Sequence, residues 1–338
     1  MQQAYLNTRV SLFSNRLWPP GAFDKLSGQP SEQVKRKLSE KGLGFLVPGQ
    51  SAADTLSLEA QITMTLLDEA RILLRPLQGA SRQFLAYWLE RFEISNIKTI
   101  IRAKLAQEKA ASITPRLADL GPFARLDLAT LVHVEDVDEL LYRLETGPYS
   151  VIARNGRNAF EDSRDPFMLD ATLDRTYYEV LARMGRTQET DAGKPFQELM
   201  AGLIDPVNLV WLLRYRFNYN LPPAQVYYLL PGNGYRISGT LLKDLVSQHN
   251  LEAVIETLPP GIKKAIGAAR SIPAISMQLE QDAARTARRI IAGRAHVLAR
   301  CFAYLILRER DLRRARAISR GYHLGLGKDS LWAAIGNL

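Results

Sequence analysis

The stretch IDPVNLVWLLRYR, residues 204–216, decides the fold because the chain contains it three times in diverged form. FEISNIKTIIRAK at 92–104 and RDLRRARAISRGY at 310–322 align with it without gaps. An acid stands second in every copy, an arginine stands eleventh, and apolar side chains match between them. Self-similarity of this kind is typical of a fold that uses one supersecondary unit several times.

The acids of the repeat form one column, which consists of Glu93, Asp205 and Asp311. Asp205 is followed by Pro206, and this pair is typical of a helix N-cap with proline at the first helical position. We therefore expect the acid column to begin a helix in each copy. Three residues after the acid, the first two copies have asparagine and the third has Arg314.

The arginines of the repeat form a second column, which consists of Arg102, Arg214 and Arg320. They follow the acids by about two and a half helical turns, where a guanidinium favours the C-terminal end of a helix dipole and can reach a neighbouring acid. A functional interpretation, in which the three arginines line one opening of a pseudo-symmetric body, is compatible with this structural one.

The repeat extends beyond the aligned stretches in both directions. The separations that relate the three acids also relate Phe84, Phe196 and Phe302 in the preceding helix. Downstream, each copy closes with apolar side chains at i, i+3, i+4 and i+7, the spacing of one helix face. These stripes are Val137, Leu140, Leu141 and Leu144; Leu251, Val254, Ile255 and Leu258; and Leu331, Ala334, Ile335 and Leu338.

Helical periodicity recurs throughout, whereas no segment alternates apolar and polar residues over enough length for a strand. The predicted fold is all-α and contains three similar helical subdomains. The first unit spans 1–150 and carries a Gly/Pro/Ser-rich insertion near 27–57, which we expect to be a loop or a short helix pair. The second unit spans 151–262, and the third, which is rich in arginine, spans 263–338.

The charge of the chain is concentrated in its last part. Residues 281–338 contain 12 of the 44 Lys and Arg residues but only 4 of the 35 acids, so eight of the nine net positive charges lie there. An apolar stripe that includes Ile290, Val297 and Phe302 continues through this part, which predicts folded helices with a basic outer surface. We therefore expect a docking face for an acidic partner.

Composition excludes several classes of protein. The single cysteine, Cys301, excludes an intramolecular disulfide framework and fits a reducing compartment, and the four histidines lack metal-ligand spacing. The first residues show no charged leader followed by an apolar run, and no window reaches about 18 consecutive apolar residues. We expect neither a visible secretion signal nor a membrane-spanning segment.

No catalytic constellation stands out. Asp165, Asp170 and Asp174 lie close together in sequence, but nothing places an apolar pocket around them to change their pKa values. The glycine-containing segments PGNGYRISG at 231–239 and KGLGFLVPGQ at 41–50 follow no predicted strand, so we interpret them as turns. An enzyme is therefore unsupported by these residues but not excluded by them, and they indicate no cofactor and no metal site.

The segment RYRFNYNLPPAQVYYLL at 214–230 mixes arginines with aromatic residues, as binders of single-stranded nucleic acid do. Aromatic residues at a helix junction more often fill an interface between subdomains. A basic helical-repeat protein that binds nucleic acid, or one that scaffolds a membrane surface, nevertheless remains an alternative function.

Together, LDRTYYEVL at 173–181, ISNIKTIIRAKL at 94–105, the stretch at 204–216 and the opening YLNTRVSLFSNRL at 5–17 resemble the C-subunit family of V/A-type rotary ATPases, whose eukaryotic counterpart is the d subunit. The resemblance spans nearly the whole chain, and its specificity comes from the order and threefold repetition of the motifs.

This resemblance implies a funnel of three subdomains around a pseudo-threefold axis, without catalytic activity. It implies a rotor adaptor on the cytoplasmic side of the membrane, peripheral to it, that joins the central stalk, formed by the D and F subunits, to the membrane ring of proteolipid subunits. Membrane contact would be indirect, through the ring, and no nucleic acid would be bound.

The third copy departs from the family pattern because Arg314 replaces the asparagine. We expect Arg313, Arg314, Arg316 and Arg320 to face acidic groups of the central stalk or the rotor, with anionic lipid headgroups as a lesser possibility. With Arg102 and Arg214, these are the candidate partner-binding residues.

Overall fold

The computed structural model describes residues 2–26, 29–46, 54–232 and 234–326. Throughout these segments the regular secondary structure is helical, and no strand occurs in them. The prediction of an all-α fold is confirmed.

The α-helices fall along the chain in the following order. They are α1 (Gln2–Ser14), α2 (Ala22–Leu26), α3 (Ser31–Glu40), α4 (Asp54–Leu74), α5 (Gly79–Leu89), α6 (Arg91–Leu105), α7 (Ala110–Ile113), α8 (Leu128–Leu131), α9 (Val137–Glu145), α10 (Ser150–Ser163), α11 (Pro166–Leu213), α12 (Pro223–Leu229), α13 (Gly239–Val246), α14 (Leu251–Thr257), α15 (Pro260–Ile266), α16 (Ile272–Ala292) and α17 (Val297–His323). Short 3₁₀ helices lie at Gly44–Leu46, Thr114–Arg116 and Gly121–Phe123, and a π-helical turn at Arg214–Asn218 follows α11.

A long helix, a break and a second helix recur three times. In the first copy the break separates α4 from α5, and in the third it separates α16 from α17. In the second copy it is a kink inside α11 at Gly193, whose φ of 70° is a conformation that favours glycine. Pro195 follows and cannot donate a helical hydrogen bond, so the kink separates two straight segments.

The phenylalanines of the repeat meet at one point just after these breaks. The ring centroid of Phe84 lies 5.1 Å from those of both Phe196 and Phe302, and the latter two are 6.0 Å apart. All three side chains are fully buried. Phe84 contacts its two counterparts edge to face, an arrangement that aromatic rings prefer. Residues that are equivalent in the three copies therefore contact one another in space.

The apolar stripes that close the first two copies are buried as predicted. Helix α9 buries Val137, Leu140, Leu141 and Leu144. In the second copy Val254, Ile255 and Leu258 are buried and Leu251 is partly buried. The corresponding stripe at 331–338 lies outside the described residues.

Two apolar cores hold the helices together. The larger includes side chains from Leu6 to Ile318 and surrounds the phenylalanine cluster, whereas the smaller joins the end of α11 to the helices between 223 and 266 and to the start of α16. Helix α1 packs against α17 and α16, so the N-terminal segment lies on the third copy.

The predicted insertion is partly helical. Within 27–57 the structure describes α3, the 3₁₀ turn at Gly44–Leu46 and the start of α4. Residues 27–28 and 47–53 of this insertion lie outside the described residues.

Candidate interaction site

Each copy of the repeat buries its column acid completely. Glu93, Asp205 and Asp311 expose 0%, 1% and 1% of their surface. Glu93 lies in the first turn of α6, whereas Asp205 lies inside α11 and Asp311 inside α17. The prediction that the acids begin helices is therefore wrong for Asp205 and Asp311.

The buried acids bind groups outside their own helices, which explains the wrong N-cap prediction. Glu93 Oε1 accepts hydrogen bonds from the backbone N–H groups of Arg125 and Leu126, both at 2.9 Å. Its Oε2 accepts one from the Tyr149 hydroxyl at 2.6 Å. These three donors satisfy the buried carboxylate without the amides of its own helix end.

The second copy repeats this arrangement. The Asp205 carboxylate accepts from the backbone N–H groups of Tyr235 at 2.7 Å and Arg236 at 3.0 Å, and from Nε of Arg236 at 2.9 Å. Pro206 continues the helix even though it has no N–H for the ladder. The acid thus anchors the loop that follows α12.

The repeat asparagines bind the same loops. Asn96 donates to the carbonyl of Ala118 at 2.8 Å and accepts from the amide of that residue at 2.8 Å. Asn208 makes the same pair of bonds with Gly232, at 3.2 and 3.1 Å. Each asparagine side chain thus binds both the N–H and the C=O of one loop residue, as a neighbouring strand does in a sheet. The acid and asparagine columns therefore both fix loops to the repeated helices.

The third copy obtains its donor from the other end of the chain. Asp311 Oδ2 accepts the backbone N–H of Trp18 at 2.8 Å. In the first two copies the donors follow the acid, whereas Trp18 precedes Asp311 by 293 residues. Burial raises the pKa of Asp311 to about 6, although the Trp18 amide and the neighbouring arginines oppose this rise.

Several arginines of the third copy also bind the N-terminal segment. Arg288 donates to the carbonyl of Trp18 at 2.8 Å, and Arg300 donates to the Asn7 side chain and, at 3.1 Å, to the hydroxyl of Ser11. The N-terminal segment is therefore part of the third structural unit, which the sequence analysis did not detect.

Other cations of the third copy pair with acids that lie elsewhere in the chain or in α16. Arg308, which is 1% exposed, binds Glu69 at 3.1 Å, and Arg289 binds Glu198 at 2.7 Å. Arg310 lies 3.4 Å from Glu280. The basic surface is consequently smaller than the charge count suggests, because distant acids approach in the folded chain.

The arginine column lies towards the far ends of the three repeated helices. Arg102 is in the last turn of α6, Arg214 follows α11 directly, and Arg320 is near the end of α17. Each stands 18 residues beyond the phenylalanine of its copy, which is roughly 27 Å along an ideal helix, although in the first copy α5 ends and α6 begins between the two residues.

The three column arginines differ in their contacts. Arg102 Nη2 lies 2.5 Å from Asp170 Oδ2 and remains 60% exposed. Arg214 and Arg320 are exposed, and no ion pair within the described segments involves either of them. Arg102 thus differs from the other two in having an acidic neighbour among the described residues.

The remaining predicted residues line the same end of α17. Arg313 Nη2 lies 3.8 Å from Glu280 Oε1, and its side chain is 41% exposed. Arg314 and Arg316 are partly exposed. With Arg320, they make up the basic residues at this end of the helix, and we call this group the α17 strip.

Two aromatic residues of the 214–230 segment, Tyr215 and Tyr219, pack on Phe167 at the start of α11, whereas Tyr219 and Tyr228 keep more than half of their surface exposed. Tyr215 is buried and contacts Phe167 edge to face at 5.5 Å, and Tyr219 lies 5.1 Å from Phe167. Arg216 donates to the backbone carbonyls of Val246 and Leu221 at 2.8 and 3.0 Å. These contacts fit the interpretation of a filled helix junction.

In the described ranges, no group of three metal-binding side chains occurs. The helices there include none that is long and apolar enough to cross a bilayer.

Comparison with known proteins shows a match along nearly the whole chain. A sequence model of the family described as ATP synthase (C/AC39) subunit matches residues 6–332. The chain is 22% identical to the C subunit of the A-type ATP synthase of Halorubrum lacusprofundi, over 97% of this chain and 95% of that protein.

Two further relatives match over shorter stretches. The C subunit of the A-type ATP synthase of Methanocaldococcus jannaschii is 25% identical over 75% of this chain, and that of Methanosphaera stadtmanae is 23% identical over 61%. These two alignments cover 64% and 53% of the relatives' own lengths, which is less than two thirds of each.

Proposed function

This chain belongs to the ATP synthase (C/AC39) subunit family, and from that premise we propose that it is a non-catalytic rotor adaptor. It joins the central stalk, formed by the D and F subunits, to the membrane ring of proteolipid subunits, on the cytoplasmic side. It transmits torque between a slender shaft and a wider ring, and its contact with the membrane is indirect.

One observation carries this proposal. Equivalent phenylalanines of the three copies meet at one point, and equivalent arginines stand 18 residues further along each copy, towards the ends of α6, α11 and α17. In the proposed adaptor, the three copies form a funnel that is closed at the phenylalanines and carries a basic rim at the arginines. Such a body suits an acidic shaft that is touched from three sides.

Stiffness is the physical requirement for torque transmission, and the buried polar contacts favour it. The Asp205 and Glu93 carboxylates fix loops to the repeated helices, and Asp311 fixes the N-terminal segment. Because these acids are buried, breaking one contact leaves an unpaired charge or amide, which is costly.

The rim residues are Arg102, Arg214 and the α17 strip. Arg214 and Arg320 contribute most of the attraction, because Arg102 and Arg313 already have acidic neighbours in the chain. We assign the three subdomains to 1–150, 151–262 and 263–338, with the N-terminal segment completing the third.

The test is a binding measurement with the purified D and F subunits of the central stalk. We expect the double variant Arg214→Glu and Arg320→Glu to weaken binding at least tenfold, since two exposed attractions become repulsions. Arg154→Glu and Lys264→Glu, at exposed sites on α10 and α15 that form no ion pair with a described residue, are the matched control and leave binding unchanged.

A second measurement uses the chain as bait on membranes solubilised in mild detergent. Recovery of stalk and proteolipid subunits supports the adaptor. Recovery of nucleic acid without ATP synthase subunits overturns it and favours the basic helical-repeat alternative, whose binding would fall steeply with salt.

A further inference from the structure

A cleft with a volume of about 740 Å³ lies between the first unit and α11, away from the arginine column. Its walls are the last turn of α4, one face of α5, residues 122–125 and Met184 of α11. The cleft is lined by four arginines, which are Arg71, Arg75, Arg82 and Arg125. We call it the lateral cleft.

Two of these guanidinium groups are held in place by the protein itself. Arg82 Nη1 donates to the carbonyl of Leu74 at the end of α4, at 2.7 Å. Arg125 Nη1 lies 2.7 Å from Glu90 Oε1. A guanidinium has five N–H groups, so both retain donors for a ligand. Because they are already ordered, binding costs less side-chain entropy.

The lateral cleft has a surplus of positive charge. Arg71 lies 3.4 Å from Asp68, and Arg125 is paired with Glu90. Arg75 and Arg82 form no ion pair with any described residue. Burial raises the pKa of the nearby Tyr87 hydroxyl and the charge of Glu90 adds to this rise, whereas the charges of Arg183 and Arg125 oppose it. A ligand with two or more negative charges fits this balance.

Part of the cleft surface is apolar. Tyr87 is half-buried, and its ring stacks on Tyr177 with a centroid distance of 5.3 Å. Met184 and Phe123 lie beside it. A small inorganic anion would leave this surface uncovered, whereas a ligand with an apolar side chain would bury it.

The end of α4 argues against a phosphate cradle. Helix N-termini bind phosphate because their N–H groups and dipoles attract anions, but α4 presents its carbonyl end here. Guanidinium groups bind both carboxylates and phosphates bidentately, so the arginines alone do not select between them. The apolar surface of Tyr87, Phe123 and Met184 beside the arginines favours carboxylates carried on a peptide with apolar side chains over a free phosphate.

We propose that the lateral cleft binds an acidic segment of a partner protein. Two or more carboxylates of the segment meet Arg75, Arg82 and Arg125, and an apolar side chain packs on Tyr87 and Met184. This site lies beyond the adaptor function, because it uses a face of α5 that does not include Phe84 and none of the rim residues.

The test uses the full chain and a synthetic peptide, acetyl-(Glu-Glu-Leu)₄-amide, with acetyl-(Gln-Gln-Leu)₄-amide as its uncharged match. We expect calorimetry at low salt to show a micromolar dissociation constant for the Glu peptide, and binding at least about tenfold weaker for the Gln peptide. The Arg75→Gln and Arg82→Gln double variant should lose at least about tenfold in affinity for the Glu peptide.

Controls separate this site from the rim and from the fold. Arg143→Gln with Arg154→Gln should leave peptide affinity unchanged, and the cleft variant should keep its affinity for the D and F subunits. Equal peptide binding by the cleft variant and the unmodified chain, or no binding up to millimolar peptide, overturns the proposal. Cleft-dependent binding of pyrophosphate or of anionic lipid vesicles, without peptide binding, overturns the assigned ligand class.

Discussion

Arg91 and Glu309 occupy equivalent places in the first and third copies of the repeat, and they form an ion pair at 2.8 Å. They follow Phe84 and Phe302 by about two helical turns, so the pair is a second level of contact between equivalent positions. The Arg91 guanidinium also lies 3.6 Å from the centroid of the Trp88 ring. At this position of the repeat, an ion pair between the first and third copies thus takes the place of the apolar contact that Phe84 and Phe302 make seven residues earlier.

A double-mutant cycle should detect this pair. With Arg91→Ala, Glu309→Ala and the double variant, we expect a coupling free energy of about 1 kcal/mol, since the side chains are 19% and 23% exposed and solvent screens them in part. Urea unfolding supplies the free energies. The cycle cancels the loss of the Trp88 contact, which both Arg91 variants share, and a coupling indistinguishable from zero would contradict the expectation.

The phenylalanine cluster should dominate the stability of the fold. Phe302→Ala removes a fully buried ring that contacts Phe84, Phe196 and Trp88, so we expect a loss of about 3–5 kcal/mol in the free energy of unfolding. Leu12→Ala, at a side chain that is 55% exposed, should change it by less than about 0.5 kcal/mol. Chemical denaturation of both variants provides the comparison, and similar effects would mean that the cluster is not central.

The buried acids should matter more than the helix caps. Asp205→Ala leaves the amides of Tyr235 and Arg236 unpaired, and we expect a cost of about 3–5 kcal/mol. Asp136→Ala removes a true N-cap, which accepts the Glu139 amide at 2.8 Å, and should cost about 1 kcal/mol. Hydrogen exchange should quicken at residues 235–237 in the first variant alone. Unchanged exchange there would show that the carboxylate does not hold the loop.

The stability of the third copy should depend on pH through Asp311. Its pKa is about 6 in the folded chain, above the ordinary value of 3.8, so the folded state prefers the protonated form. The protonated Asp311 side chain therefore stabilises the folded chain fully at pH values below the unfolded pKa of 3.8, and this stabilisation is lost as the pH rises through about 6. Relative to Asp311→Asn, the unmodified chain should lose about 1 kcal/mol between pH 5 and pH 7 and about 3 kcal/mol over the full range.

Urea unfolding at several pH values measures this difference, and the variant serves as its own control because its amide does not titrate. Parallel pH profiles for the two proteins would show that Asp311 keeps an ordinary pKa in the folded chain.

Much of the scaffold could be predicted because the repeat is visible in the sequence. Helical periodicity indicated an all-α fold, and the shared separations of Phe84, Phe196 and Phe302 identified positions that meet in space. Periodicity works here because each copy must bury one apolar face against its neighbours.

The role of the polar columns could not be predicted from local patterns. Asp205-Pro206 has the sequence of an N-cap, but the amides of Tyr235 and Arg236 bind the carboxylate and the helix continues through Pro206. Local propensity is a weak guide when distant donors compete for a buried charge.

The basic surface was overestimated for a similar reason. Arg308 and Arg289 are far in sequence from Glu69 and Glu198, so counting charges along a segment does not detect these pairs. Arg214 and Arg320 remain candidate partner-binding residues, whereas the contacts of Arg288 and Arg300 are structural.

The bond between Trp18 and Asp311 has a consequence for synthesis of the protein on the ribosome. Trp18 emerges long before Asp311 is translated, and the two are separated by 293 residues. Helix α1 therefore lacks α17, the helix that it contacts most, while the first two copies are synthesised and can fold. During that interval α4 is already present to contact α1, but the part of the α1 surface that packs on α17 stays uncovered and is accessible to chaperones or to non-native contacts until α17 is made.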